Sequence, residues 1–72
     1  MNTQQSQPSE NLSQSLSGTM ERLDDLINHV RGCISQTQEP KAQALFETSA
    51  EVLIGLRKAY EDYKKGGEKA WQ

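Results

Sequence analysis

The segment from Pro40 to Lys65, PKAQALFETSAEVLIGLRKAYEDYKK, constrains this chain more than any other, because it is the longest periodic stretch and carries most of the large apolar side chains. Ala42, Leu45, Ser49, Val52, Leu56, Ala59 and Tyr63 recur at alternating spacings of three and four, the seam of a helix that packs lengthwise on another. Phe46, Leu53 and Tyr60 form a second line beside that seam. An apolar face two lines wide is too broad for one partner helix. The segment therefore reads as a long amphipathic helix covered from two directions, as in a bundle.

A similar face precedes it. Leu16, Met20, Leu23, Ile27, Val30 and Ile34 alternate spacings of four and three, with Thr19, Leu26 and Cys33 alongside. Gly18 lowers helix propensity by about 1 kcal/mol relative to Ala, so the first turns are expected to fray. The spacing predicts a helix from Ser13 to Ser35. Residues 1–12, rich in Gln, Ser and Asn and containing Pro8, are expected to be a disordered polar tail. Residues 36–39 form the break, and Pro40 suits the first position of the next helix, where an N–H would have no intrahelical partner. Glu39 beside it places negative charge at the positive end of the helix dipole. Lys64 and Lys65 complement the other end, and Gly66-Gly67 closes the helix at residue 65, leaving a short tail, 66–72, with the single tryptophan, Trp71.

So short a connection between two helices of similar length implies an antiparallel hairpin. Folding back about the turn sets Ile34 opposite Ala42, Val30 opposite Leu45 and Phe46, and Ile27 opposite Ser49. Further along, Leu23 meets Val52 and Leu53, Met20 meets Leu56, and Leu16 reaches Tyr60 and Tyr63. The expected fold is all-α, a two-helix hairpin that dimerises into a four-helix bundle.

Size argues for the second copy. A chain of 72 residues seldom supplies a sufficient core by itself, and its single cysteine cannot form an internal disulfide, so self-association is the remaining common support. The interface expected from the second lines comprises Leu26, Cys33, Phe46, Leu53 and Tyr60, in an isologous two-fold contact. The formal net charge of −2 with mixed signs gives no overall attraction to nucleic acid or anionic lipid. No apolar run is long enough for a membrane span, and the first residues do not resemble a secretory signal, so a cytoplasmic location is expected.

The stretch ALFETSAEVLIGLRKAYEDY, followed by a charged tail ending near Trp71, resembles the C-terminal half of small uncharacterised bacterial helical-hairpin proteins, over residues 40–71. The resemblance implies a bacterial origin and a helical hairpin, and no activity. The expected dimeric architecture is also similar to that of Rop-like RNA-binding dimers, a likeness of fold rather than of site.

Few residues suggest chemistry. Asp25, His29 and Cys33 stand four apart and are all metal-ligand types, yet no Glu-x-x-His pair of the di-iron bundles accompanies them. Cys33 beside Ile34 and Val30 reads as a small packed hydrophobe, with a redox-sensitive thiol as the alternative. Glu47 and Glu51 read as a solvated face, and a hairpin offers no water-excluding pocket for a nucleophile and its base. Arg57, Lys58, Lys64, Lys65 and Lys69 form a basic cluster, but Glu61, Asp62 and Glu68 interleave with it, which disfavours nucleic acid as a ligand. Ile54 on the outer face and Trp71 beyond the glycines are candidate partner contacts. The expectation is a non-catalytic structural or protein-interaction module, without cofactor, acting as a homodimer and binding a further protein. An RNA-binding dimer is the alternative, and a metal- or redox-linked bundle the third reading.

Overall fold

The computed structural model describes residues 8–66, and side-chain surroundings from residue 11 onward. Two helices make up the described chain, α1 from Pro8 to Gln36 and α2 from Pro40 to Gly66, packed on each other as a hairpin. Their order is antiparallel: Ser17 near the start of α1 bonds Lys64 near the end of α2, while Asp24 further along α1 meets Arg57.

The turn is closed as the Pro40 signal implies. The Gln43 N–H donates to the Glu39 carbonyl at 2.9 Å, so Glu39 caps α2 with Pro40 as its first residue. The Thr37 N–H donates to the Cys33 carbonyl at 3.1 Å, satisfying a carbonyl at the end of α1. Gln43 Nε2 then donates to the Thr37 carbonyl at 2.8 Å and ties the connection to the first turn of α2.

Two expectations need adjustment. The first helix begins at Pro8 rather than Ser13, so residues 8–12, read from composition as part of a polar tail, are helical. Proline is compatible with a first turn and no breaker follows until Gly18, which sits inside α1 without ending it. Composition alone undervalued that continuity. Residues 1–7 and 67–72, with Lys69 and Trp71, lie outside the described residues.

The other adjustment concerns rotation. On α1 the expected line is the buried one: Leu23, Ile27 and Val30 are 6–8% exposed. On α2 the only comparably buried residue among those described is Ala50, which belongs to neither expected line. Phe46, Leu53, Arg57 and Tyr60 are half-buried around it, whereas Leu45, Val52 and Leu56, expected to face α1, are exposed. Leu16 lies beside Tyr60 and Tyr63 as the fold-back expects, but α2 is turned about its axis so that its two apolar lines exchange places. Ala50 supplies the reason: the smallest side chain on that surface lets the helices approach, and the larger residues pack on either side of it.

Candidate interaction surface

The rotation of α2 gives the hairpin two unlike flanks. On one of them Val52 and Leu56 lie a helical turn apart and join two hollows into a single apolar groove. The larger hollow, about 460 Å³, is lined by Leu26, Val30, Thr48, Ser49, Val52 and Leu53. The smaller, about 280 Å³, is lined by Leu16, Leu56, Ala59, Tyr60 and Tyr63. Leu16 and Tyr63 continue into a third, where Leu12 and Lys64 join them. Along this flank Leu45 and Val52 are each 63% exposed, and Leu26 and Leu56 each 45%.

The opposite flank is charged. Arg57 donates through Nε to Asp24 Oδ1 and through Nη2 to Oδ2 at 3.3 Å, a two-pronged pair that joins the helices. Glu61 lies 3.8 Å from Arg57 Nη1 and 3.9 Å from Lys65 Nζ. Lys58 Nζ bonds Asp62 at 3.0 Å. The hydrogen bond that Arg57 donates to Asp24 holds the Arg57 pKa above its ordinary value, with partial burial opposing and the charges of Asp24 and Glu61 assisting.

Among the described residues, those singled out by sequence each have a definite place. Phe46, Leu53 and Tyr60 are half-buried on α2 toward α1, Cys33 is half-buried, and Leu26 is exposed on the groove. Ile54 is exposed, one turn before Arg57 on the charged flank. The Cys33 thiol stands 3.6 Å from His29 Nε2, one turn away on α1. Among the described residues no group of three His, Cys, Asp or Glu side chains is placed to hold a metal ion, so Asp25 does not complete a ligand set with that pair. Ser49 and Thr19 turn their hydroxyls back to the carbonyls of Leu45 and Ser15, each at 2.8 Å, and Ser49 so presents mainly carbon to the larger hollow.

Sequence reasoning did not find the Asp24–Arg57 pair. Its signal was available only in part: an arginine on an otherwise apolar line, about five residues from the height of Asp24 on the folded-back chain and within reach of its long side chain.

No protein-family model matches the chain, and neither the curated proteins nor the solved structures give a significant match. No helix among the described residues is long and apolar enough to cross a membrane.

Proposed function

We propose that this protein is a non-catalytic structural or interaction module that works as a homodimer, two hairpins burying their grooved flanks in a four-helix bundle and presenting the charged flanks outward to a further protein. The observation that carries this reading is the exposed line of Leu45, Val52 and Leu56, with Leu26 across the groove, on a hairpin that buries only Leu23, Ile27, Val30 and Ala50 among its described residues. A contiguous apolar surface of this kind marks an interaction site. Open, shallow hollows lined almost wholly by carbon suit side chains of another helix better than a reacting substrate.

The RNA-binding alternative has weaker support. Arg57, Lys58 and Lys65 are engaged by Asp24, Asp62 and Glu61, which offsets much of the positive charge that phosphates would need. Sedimentation equilibrium at micromolar concentration tests the dimer directly: a mass twice that of the chain is expected, and a stable folded monomer would remove the reading. RNA retention that falls steeply with salt would favour the rival instead.

A further inference from the structure

Resting on that reading, we propose how the second copy sits: its two-fold axis runs perpendicular to the helices at the height of Leu23 and Ile54, so the two turns lie at opposite ends of the bundle. The apolar lines bordering the groove are self-complementary in this sense. Reversing the α2 line about Ile54 sets Leu45 opposite Tyr63, Ser49 opposite Ala59 and Val52 opposite Leu56 of the second copy. A large residue then meets a large one and a small meets a small. Reversing the α1 line about Leu23 sets Leu16 opposite Val30 and, each one residue out of register, Leu12 opposite Cys33 and Thr19 opposite Leu26.

The two centres of reversal must share one height for a single axis to serve both helices, and they do. Leu16 lies across from the Leu56 to Tyr63 hollow, and Leu26 with Val30 across from the hollow of Ser49, Val52 and Leu53. Leu23 and Ile54 fall between these two levels. The larger hollow of each copy then faces the smaller hollow of the other, and Leu56 beside the axis enters the space bordered by the second copy's Val52. This is the isologous arrangement, in which every contact occurs twice.

Charge agrees with the apolar pattern. Arg22 and Asp25 line a shallow surface with Leu26 and His29 on the groove side of α1, just either side of the Leu23 height. Among the described residues neither makes an ion pair within its own hairpin. Under the perpendicular axis Arg22 of each copy comes within one residue of the level of the second copy's Asp25, close enough for two reciprocal pairs at the centre of the interface. An axis parallel to the helices would lay α1 over α2 of the second copy and separate these groups.

Spin labels decide between the arrangements. A label at Gln38→Cys in a Cys33→Ala background reads the distance between turns. The perpendicular axis gives about 40–45 Å, twice the roughly 20 Å of helix from Leu23 to the turn. A parallel axis gives less than about 25 Å, since the turns then lie on helices packed about 8–10 Å apart; that result would overturn the arrangement and leave the dimer standing. Absence of any inter-label distance, with a monomer mass for the same labelled protein, would overturn both. Unlabelled charge variants supply a second measurement. Arg22→Glu should weaken the dimer roughly five- to thirty-fold, since two attractions become repulsions. Adding Asp25→Arg should restore it to within about two-fold. Failure of the double variant to recover, with Arg22→Glu still folded, would also overturn the placement of the axis.

Discussion

On one flank of the hairpin Arg57 reaches across to Asp24 and is backed by Glu61, while on the other Leu26, Leu45, Val52 and Leu56 stand exposed around an apolar groove. Both flanks come from the same two helices, yet only the first is suited to water. Exposed ion pairs typically contribute about 0.2–1 kcal/mol each, and they lose little by remaining hydrated. Covering a large aliphatic side chain fully is worth about 1.5–3 kcal/mol. The free energy available for association therefore lies on the groove, and the charged flank mainly decides which way the hairpin faces. An αα-hairpin covers roughly one line of each helix; the turn of α2 that buries Ala50 determines which line is left over.

The sharpest way to break this contrast is to alter a residue that serves the hairpin and the groove together. Leu53 is half-buried toward α1 and lines the larger hollow. Leu53→Glu places a charge where two surfaces meet, and a loss above about 3 kcal/mol is expected, enough to abolish the helical circular dichroism signal and the dimer together. Retention of a cooperative thermal transition near that of the parent would show that Leu53 is not covered twice.

Val52→Glu separates the two roles. Val52 is exposed in the single hairpin, so the substitution leaves the contacts of α1 with α2 intact while placing two charges in the two-fold interface. Dissociation should weaken the dimer by more than about a hundredfold, close to 3 kcal/mol. Sedimentation over a concentration series reads it. An unchanged association constant would mean that the groove is not where the copies meet.

The charged flank should respond far less. Asp24→Asn keeps the shape of the side chain and removes its charge, so a change of about 0.5–1 kcal/mol in urea unfolding is expected, with dimer mass unaltered. An effect as large as that of Val52→Glu would invert the comparison and make the ion pair the dominant contact.

Much of this architecture was legible in sequence. The two seams, the Pro40 start and the short connection specify the hairpin, because period and capping act locally and each pointed to the same fold. The buried line of α1 was legible for the same reason: Leu23, Ile27 and Val30 are large, and the line beside them holds only one large aliphatic residue, Leu26, with Thr19 and Cys33. The face of α2 was not. Two apolar lines of comparable size lie side by side there, and the choice depends on how closely the helices approach at Ala50, a property of the pair rather than of either helix. Polarity ranking also hid Arg57, whose long stem can lie along a packing surface while its head reaches a carboxylate on α1. The start of α1 escaped because composition describes a tail well and a helix end poorly.

The smallest expected effect sharpens the comparison from the charged side. The raised pKa of Arg57 means that its contribution is fully present below the unfolded-state value and is lost only as pH rises through the still higher folded value. Both values lie beyond ordinary working conditions, so titration of Arg57 should leave stability unchanged between pH 7 and 9. Salt acts differently on the two flanks. Raising ionic strength from 0.05 to 1 M shortens the screening length to about 3 Å and should weaken the exposed pairs of Asp24, Glu61 and Asp62 by a few tenths of a kcal/mol. Sodium sulfate at matched ionic strength screens them too, but it also strengthens apolar burial, so dimer association should hold or tighten while the Asp24→Asn increment shrinks. Thermal unfolding of parent and Asp24→Asn proteins in both salts measures the difference. A dimer that dissociates as salt rises would place the association free energy on charge, and the roles assigned to the two flanks would have to be exchanged.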